Sequence, residues 1–203
     1  MRITGGTLRG RRLVAPPERP ATRSEAQGRP ARPLNTVRPT SDRTRQAIFN
    51  MLSHRDFGVE FTLEGAAVAD LFAGTGALGI EALSHGARFC LFVDDNADSR
   101  ALVRENIEAL GLTGVTKIWR RDATDLGPMN TGGGGPFDLV FLDPPYRKNL
   151  VAPALKSLKD GGWLKPHALL VVETDAKESF DAPGFTVADT RDYGETRVTV
   201  LTA

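Results

Sequence analysis

Short apolar runs alternate with stretches whose apolar residues recur at helical spacing. The runs at 68–72, 89–93, 115–121, 137–142 and 168–173 have the length and composition of buried strands. The stretches at 77–84, 97–110 and 151–158 lie between these runs, and their apolar residues recur at helical spacing. Strands separated by helices predict an α/β fold with a doubly wound, mainly parallel sheet.

The end of the chain departs from this alternation. Residues 185–190 and 197–201 form two further apolar runs. A short turn at Asp192, Tyr193, Gly194 and Glu195 joins them. So short a connection predicts an antiparallel hairpin. The four-glycine run at 132–135 predicts a mobile surface loop.

The first 50 residues have a composition of their own. They contain eleven arginines, no lysine and three acidic residues, which gives a formal net charge of +8. The other 153 residues have 15 basic and 22 acidic residues, which gives a formal net charge of −7. An excess made only of arginine is typical of a segment that binds a polyanion, because guanidinium groups grip phosphates in pairs of hydrogen bonds. A disordered, soluble arm is the plainer interpretation, and the six prolines of residues 15–39 favour it. The two interpretations are compatible if the arm becomes ordered when it binds nucleic acid.

Ordered elements are predicted on either side of this proline-rich arm. Residues 2–4 and 11–14 flank glycines and predict a small hairpin. Residues 39–42 can cap a helix predicted over about 43–52. Arg43 and Arg45 would project from its first turn, where the helix dipole favours acids rather than bases, so we expect them to serve a ligand. We divide the chain into a basic extension at 1–37 and a second domain at 38–203.

A glycine-rich turn follows the first predicted strand. Gly74 and Gly76, with Gly79 three residues later, match the fingerprint of a dinucleotide-binding turn, and Asp94 lies 20 residues beyond Gly74, where a ribose-binding acid belongs. Such a turn brings the backbone and a helix N-terminus close to a ligand. The pattern predicts a site for an adenosine-containing ligand without choosing among such ligands.

The motif Asp143-Pro144-Pro145-Tyr146 directly follows the strand predicted at 137–142. In an open α/β sheet ligands gather at the carboxyl ends of the strands, so this motif shares an edge with the glycine turn. The prolines stiffen the backbone and offer the Asp143 carboxylate and the Pro144 carbonyl as rigid acceptors beside an aromatic ring. Two acceptors can hold the hydrogens of an exocyclic amino group of a base and turn its lone pair toward an electrophile, while the ring stacks on the base.

The chain resembles one enzyme family over nearly its whole length. The segments DLFAGTGALG, VDDN and DPPY, with MRITGGTLRGRRL at the start, RPTSDRTRQAIFN at 38–50 and DYGETR near the end, are similar to those of the RsmD family of 16S rRNA (guanine-N2)-methyltransferases. The resemblance implies a class I, Rossmann-like methyltransferase with a seven-stranded sheet. It also implies S-adenosyl-L-methionine as cofactor, and 16S rRNA or a small ribosomal subunit particle as partner.

The resemblance implies roles for particular residues. The expected catalytic set is Asp143, Pro144, Pro145 and Tyr146, and the expected cofactor-binding set is Asp70, Ala73, Gly74, Thr75, Gly76, Asp94, Asp122 and Ala123. Asp94 is chosen over Asp95 because it directly follows its strand. The residues expected to contact RNA are Arg2, Arg9, Arg11, Arg12, Arg38, Thr40, Asp42, Arg43, Arg45, Arg147 and Lys148.

Three other functions use parts of the same pattern. An NAD-dependent oxidoreductase would use the glycine turn and Asp94 but would leave the Asp-Pro-Pro-Tyr motif without a purpose. A non-catalytic RNA-binding module would need only the basic arm. A DNA adenine or cytosine methyltransferase shares the Asp-Pro-Pro-Tyr chemistry but usually carries a separate target-recognition region.

Further expectations come from what the composition lacks. The single cysteine, Cys90, lies in an apolar run and is expected to be a core residue, and the three histidines show no metal-ligand spacing. No apolar run approaches the roughly 18 residues of a membrane helix, and the first residues do not form a secretory signal. We expect a cytoplasmic, monomeric protein with no metal.

Overall fold

The computed structural model describes residues 1–15 and 41–203. Within them the chain forms a seven-stranded sheet with helices on both faces. The strands are β1 Ala67–Leu71, β2 Phe89–Val93, β3 Thr116–Trp119, β4 Phe137–Leu142, β5 Leu164–Asp175, β6 Thr186–Tyr193 and β7 Thr196–Thr202. The helices are α1 Asp42–His54, α2 Ala77–Ser84, α3 Ala97–Leu110 and α4 Val151–Asp160, with 3-10 turns at Thr113–Val115 and Thr131–Gly133.

The strand order is β3-β2-β1-β4-β5-β7-β6. Strands β1 to β5 are parallel, and β7 is antiparallel to both β5 and β6. These findings confirm the doubly wound sheet and the C-terminal hairpin. The order reverses between β1 and β4, which are neighbours in the sheet although two strands lie between them in the chain. Such a switch point opens a crevice at the carboxyl ends of the two strands.

Strands β1, β2 and β4 are buried on both faces because helices cover each side. Alternate residues of a strand point to opposite faces, so Val68 packs with α1, α2 and α3, whereas Ala67 and Ala69 belong to the cluster that includes α4. Cys90 is completely buried in the first cluster, which confirms that it is a core residue. No helix formed by the described residues is long and apolar enough to cross a membrane.

Several element bounds differ from the prediction. β1 ends at Leu71 because Phe72 has a φ of 59°, which takes the chain out of the extended region. β5 is longer than predicted and extends to Asp175 because β7 pairs with it along the added residues. The glycine run is not a free surface loop, since Gly133 is buried and a Cβ there would lie 2.6 Å from a ring carbon of Trp163.

Residues 1–15 form the small hairpin that the sequence predicts. Arg2 and Arg12 pair in an antiparallel bridge, and the Ile3 amide donates to the Arg11 carbonyl at 3.0 Å. Ile3 and Leu13 are buried in the core, so the hairpin is docked on the domain. The proline-rich arm and the proposed boundary at 37/38 lie outside the described residues, and that boundary stays a prediction.

The prediction that Arg45 projects from α1 toward a ligand is wrong. Its side chain is fully buried, and its Nε donates to Glu81 of α2 at 3.2 Å. It also donates to Asp42 at 2.9 Å and to the carbonyl of Arg2. Helix α1 packs against α2, so the side of α1 that carries Arg45 faces the domain, and the guanidinium compensates a buried carboxylate.

Glu81 joins three parts of the fold. Besides Arg45, its carboxylate accepts hydrogen bonds from the Thr4 amide at 2.8 Å, the Gly5 amide at 2.7 Å and the Thr4 hydroxyl at 2.7 Å. The side chain of Glu81 is fully buried. A single buried acid therefore holds the N-terminal hairpin and α1 against α2.

Replacing Glu81 by Ala should lower the free energy of unfolding by about 3–5 kcal/mol, because it removes the buried carboxylate that is paired with the buried Arg45 and that accepts from two backbone amides. Urea denaturation followed by circular dichroism measures the loss. Glu105→Ala on the exposed side of α3 is the matched control and should change stability by about 0.5 kcal/mol or less. An equal effect of the two substitutions would contradict this role of Glu81.

Candidate active site

The turn after β1 brings backbone to the carboxyl edge of the sheet. The Gly76 amide donates to the Ala73 carbonyl at 2.7 Å, and Gly74 and Gly76 have φ values of 55° and 76°. Helix α2 starts directly afterwards, and no side chain caps its N-terminus. The first amides of α2 can therefore face a ligand at this edge.

Gly79, the third glycine of the fingerprint, has a packing role. A Cβ at this position would lie 2.4 Å from a ring carbon of Phe92 and 2.6 Å from the sulfur of Cys90. The Gly79 amide donates to the Asp70 carboxylate at 2.9 Å. Close approach of α2 to β2 thus requires glycine here and also fixes the Asp70 side chain.

Asp94, at the end of β2, lies against the turn. Its carboxylate accepts from the Gly74 amide at 2.9 Å and from the Asn96 amide at 2.8 Å. The side chain is partly buried, and this burial raises the pKa of Asp94 above its ordinary value. Asp95, by contrast, is exposed. The structure therefore brings Asp94, and not its neighbour, to the glycine turn.

Asp70 is buried beneath the same edge, with an exposed fraction of 2%. Burial raises its pKa well above the ordinary value, and the nearby Asp143 and Asp94 carboxylates raise it further. Asp70 precedes the turn on β1, Asp94 follows β2 and Asp143 follows β4. The switch point thus gathers three carboxylates, of which Asp143 and Asp94 disfavour the ionisation of Asp70.

The Asp-Pro-Pro-Tyr segment extends directly from β4 at this edge. Asp143 and Tyr146 are partly exposed, Pro144 is buried and Pro145 is exposed. The Tyr146 hydroxyl lies 3.0 Å from the hydroxyl of Thr196 at the start of β7. The C-terminal hairpin therefore helps to position the aromatic ring.

Asp122 and Ala123 follow β3 and complete the row of strand ends. The Asp122 carboxylate accepts from the amide of Thr124 at 2.8 Å and from its hydroxyl at 2.7 Å. Asp122 is exposed and Ala123 is buried. The carboxylate stabilises its own turn and stays accessible to solvent.

The residues expected to contact RNA divide into three groups. Exposed side chains on the described residues are Arg2, Arg9, Arg11, Arg12, Asp42, Arg43, Arg147 and Lys148. Arg45 is buried, as described above, and Arg38 and Thr40 lie outside the described residues. Arg147 donates to Asp175 at 2.7 Å although its side chain remains largely exposed.

Sequence reasoning missed two buried polar residues, Glu81 and Asn106. Asn106 lies on α3 and donates to the carbonyl of Thr75 in the glycine turn at 3.0 Å. Their only signal is a polar residue on the buried face of a helix, which does not reveal its partners. Among the described residues, no group of His, Cys, Asp and Glu side chains is arranged to hold a metal ion.

The chain is similar to known proteins over most of its length. A family model described as "Conserved hypothetical protein 95" matches residues 23–202. Ribosomal RNA small subunit methyltransferase D of Escherichia coli K12 is 33% identical over 178 residues, which cover 87% of this chain and 76% of the relative. The protein of the same name from Haemophilus influenzae is 31% identical over 186 residues, which cover 90% of this chain and 83% of the relative.

Solved structures show the same fold. Escherichia coli yhhF superposes with a TM-score of 0.74 and 26% identity, covering 100% of this chain and 97% of that one. An RNA methyltransferase from Salinibacter ruber, solved with S-adenosyl-L-homocysteine, has a TM-score of 0.57 at 17% identity, covering 81% of this chain and 92% of that one, and supports the fold alone. The family match and these identities lead to one conclusion: the chain belongs to the RsmD family of class I, S-adenosylmethionine-dependent methyltransferases.

Proposed function

We propose that this methyltransferase transfers a methyl group from S-adenosylmethionine to the exocyclic N2 of a guanine in 16S rRNA. The observation that carries the proposal is the position of Asp143 and Pro144 at the end of β4, beside the glycine turn that follows β1. The relatives' names supply the class of substrate, ribosomal RNA of the small subunit. The choice of the guanine amino group rests on the resemblance and on the chemistry of the motif.

The carboxylate cluster suits a cofactor with positive charge. The pKa of Asp70 is raised because the residue is buried and lies near the Asp143 and Asp94 carboxylates, and a positively charged ligand beside Asp70 would favour its ionised form. S-adenosylmethionine supplies an electrophilic methyl group on a positively charged sulfur. In this proposal Asp70 and the turn from Ala73 to Gly76 hold its methionine part and Asp94 accepts from its ribose hydroxyls.

Asp122 and Ala123 would face the adenine of the cofactor. The two residues follow β3, the neighbour of β2 on the side away from β1. Because Asp94 follows β2, a ligand that extends from the glycine turn past Asp94 reaches the end of β3 next. The exposed Asp122 and the buried Ala123 would then offer one polar and one apolar contact.

The Asp-Pro-Pro-Tyr segment would activate the amino group by orientation. The lone pair of this group is delocalised into the base until two acceptors hold both hydrogens. The Asp143 carboxylate and the Pro144 carbonyl supply those acceptors, and Tyr146 stacks on the base. No strong base is needed, since the amino proton leaves after transfer, so the rate comes from orientation and fixed dipoles.

The exposed arginines of the N-terminal hairpin and α1 would bind RNA phosphates without selecting a base. The exposed arginines on the described parts of these elements are Arg2, Arg9, Arg11, Arg12 and Arg43. We propose that the enzyme acts as a monomer on 16S rRNA or on a small ribosomal subunit particle. An rRNA substrate would place it in the cytoplasm.

Asp70→Asn should change how stability depends on pH. Because the folded-state pKa of Asp70 is raised, protonation of Asp70 stabilises the folded state. This stabilisation is fully present below the unfolded pKa of about 3.9 and is lost as pH rises through the folded-state pKa. The free energy of unfolding of the variant should therefore increase relative to wild type over that interval, by about 1.4 kcal/mol per unit of pKa difference. Urea titrations at several pH values test this, and a difference independent of pH would contradict it.

Asp94→Ala should weaken binding of S-adenosylmethionine by about 1.5–3 kcal/mol, the scale of hydrogen bonds to a charged group. Titration calorimetry measures the affinity, with NAD as the competing ligand class. Asp95→Ala is the matched control and should leave the affinity nearly unchanged, because Asp95 is exposed. Binding of NAD in place of S-adenosylmethionine would refute the proposed cofactor site.

Asp143→Ala should slow methyl transfer by about 100–1000-fold, the effect of removing one preorganised hydrogen-bonding group in an active site. Single-turnover transfer of a labelled methyl group to 16S rRNA measures the rate. Cofactor affinity should change little, because in this proposal the Asp143 carboxylate binds the base and not the cofactor. Unimpaired transfer by a folded Asp143→Ala protein would remove the carboxylate from the mechanism.

A further inference from the structure

A groove lies between α1 and β6, the edge strand of the sheet. Its volume is about 560 Å³, within the range of about 300–1,000 Å³ that is usual for small-ligand sites. Its polar and aromatic lining side chains are Asn50, His54 and Arg55 on the helix side and Arg191 and Tyr193 on the strand side. None of the described residues that line the groove is acidic. The groove therefore suits a ligand with negative charge.

A register shift in β6 determines which side chains face this groove. The pairing of β6 with β7 shifts by one residue between Val187 and Asp189. Because successive side chains of a strand alternate between the two faces, such a shift exchanges the faces of all the residues that follow. Asp189, Arg191 and Tyr193 consequently share the face of the sheet that α1 covers. The groove is thus a product of the strand irregularity and not of regular pairing.

Two arginines of the groove share one carboxylate. Nε of Arg191 donates to Oδ2 of Asp189 at 3.0 Å, and Nε of Arg55 lies 3.2 Å from the same oxygen. The Asp189 side chain is 12% exposed, whereas those of Arg55 and Arg191 are 42% and 44% exposed. One carboxylate orients both guanidinium groups but neutralises only one charge. Within the described part of the chain their terminal nitrogens donate no hydrogen bond, so these donors can bind an anion.

Tyr193 brings the groove next to the proposed base site. It pairs with Thr196 across the β6–β7 hairpin, and side chains of directly opposite residues in an antiparallel pair lie on one face with Cβ atoms about 4.5–5.5 Å apart. The Thr196 hydroxyl lies 3.0 Å from the hydroxyl of Tyr146. The two tyrosines therefore flank the same threonine, and RNA whose target base is at Tyr146 can continue past Tyr193 into the groove.

We propose that this groove binds the RNA nucleotide next to the target guanine, with its base stacked on Tyr193 and its phosphate held by Arg55 and Arg191. The inference rests on the proposed function, because it requires an RNA substrate with its target base at Tyr146. Arg191 and Tyr193 are two residues apart on one strand face, hence about 7 Å apart, a spacing that one nucleotide spans. Arginine pairs suit a phosphate and a tyrosine ring stacks on any base, so the groove positions the substrate without reading its sequence.

The phosphate contact is tested by the salt dependence of RNA affinity. Fluorescence anisotropy with a labelled 16S rRNA fragment that the wild-type enzyme methylates gives the affinity at several salt concentrations. The double variant Arg55→Gln/Arg191→Gln should bind more weakly, and the magnitude of its log–log salt slope should fall by about 0.7, the contribution of one phosphate on a single strand. Affinity for S-adenosylmethionine should not change.

Arg197→Gln is the matched control on the same hairpin. Its guanidinium is already paired with Asp192 through hydrogen bonds of 2.8 and 3.0 Å, and it lies on the opposite face of the hairpin from Thr196. The control should keep the wild-type salt slope. An equal fall of the slope in this variant would show a general effect of charge and would overturn the assignment of the phosphate to the groove.

The base contact is tested at Tyr193. Tyr193→Ala should weaken RNA affinity by about 5- to 100-fold without changing the salt slope, whereas Tyr193→Phe should keep the affinity, because stacking needs the ring and not the hydroxyl. The alanine variant should raise KM for RNA and leave the rate at saturating RNA nearly unchanged, because Tyr193 does not contact the target guanine. A purely structural role would lower the unfolding temperature and leave the RNA affinity of the folded protein unchanged.

The outcomes separate this inference from the proposed function. If the wild-type enzyme binds and methylates RNA but the double arginine variant keeps the wild-type slope, or a folded Tyr193→Ala protein keeps the wild-type RNA affinity, the inference is overturned and the proposed function stands. The arginine substitutions alter exposed side chains, so the salt slope decides the inference even if Tyr193→Ala does not fold. If the wild-type protein neither binds nor methylates RNA, both proposals fail together.

Discussion

The parallel pairing of β1 with β4 is the constraint on which the site depends. The register places Leu71 opposite Leu142, so the residues that follow each strand emerge side by side. Because β2 lies on the other side of β1, Asp94 joins them from a third strand. The glycine turn and the Asp-Pro-Pro-Tyr segment are thus neighbours as a consequence of strand order, with no flexible element needed to bring them together.

The same convergence has a cost. Burial of Asp70 at this edge, with the Asp143 and Asp94 carboxylates nearby, raises its pKa, which disfavours the folded state wherever Asp70 is ionised. Buried polar contacts elsewhere, above all those of Glu81 with Arg45 and the N-terminal hairpin, stabilise the helices around the site. The arrangement is consistent with a site that is complementary to a positively charged ligand rather than to its own charges.

The sequence predicted the elements whose signal is local. Apolar runs located the strands that form the sheet, and the positions of the glycine turn and of Asp143 at strand ends followed from the parallel order. The surroundings of Arg45 could not be predicted, because its partner Glu81 belongs to a helix 36 residues away in the chain. Likewise, Gly133 looked like part of a free loop because nothing in the run itself reveals that Trp163 packs against it.

Nucleoside analysis of the reaction product tests the central claim most directly. Undermethylated 16S rRNA would be incubated with the enzyme and isotopically labelled S-adenosylmethionine, digested to nucleosides and analysed by mass spectrometry. The account predicts that the labelled methyl group is found on N2 of guanosine. Label on N6 of adenosine, or label transferred only when DNA is the substrate, would contradict it.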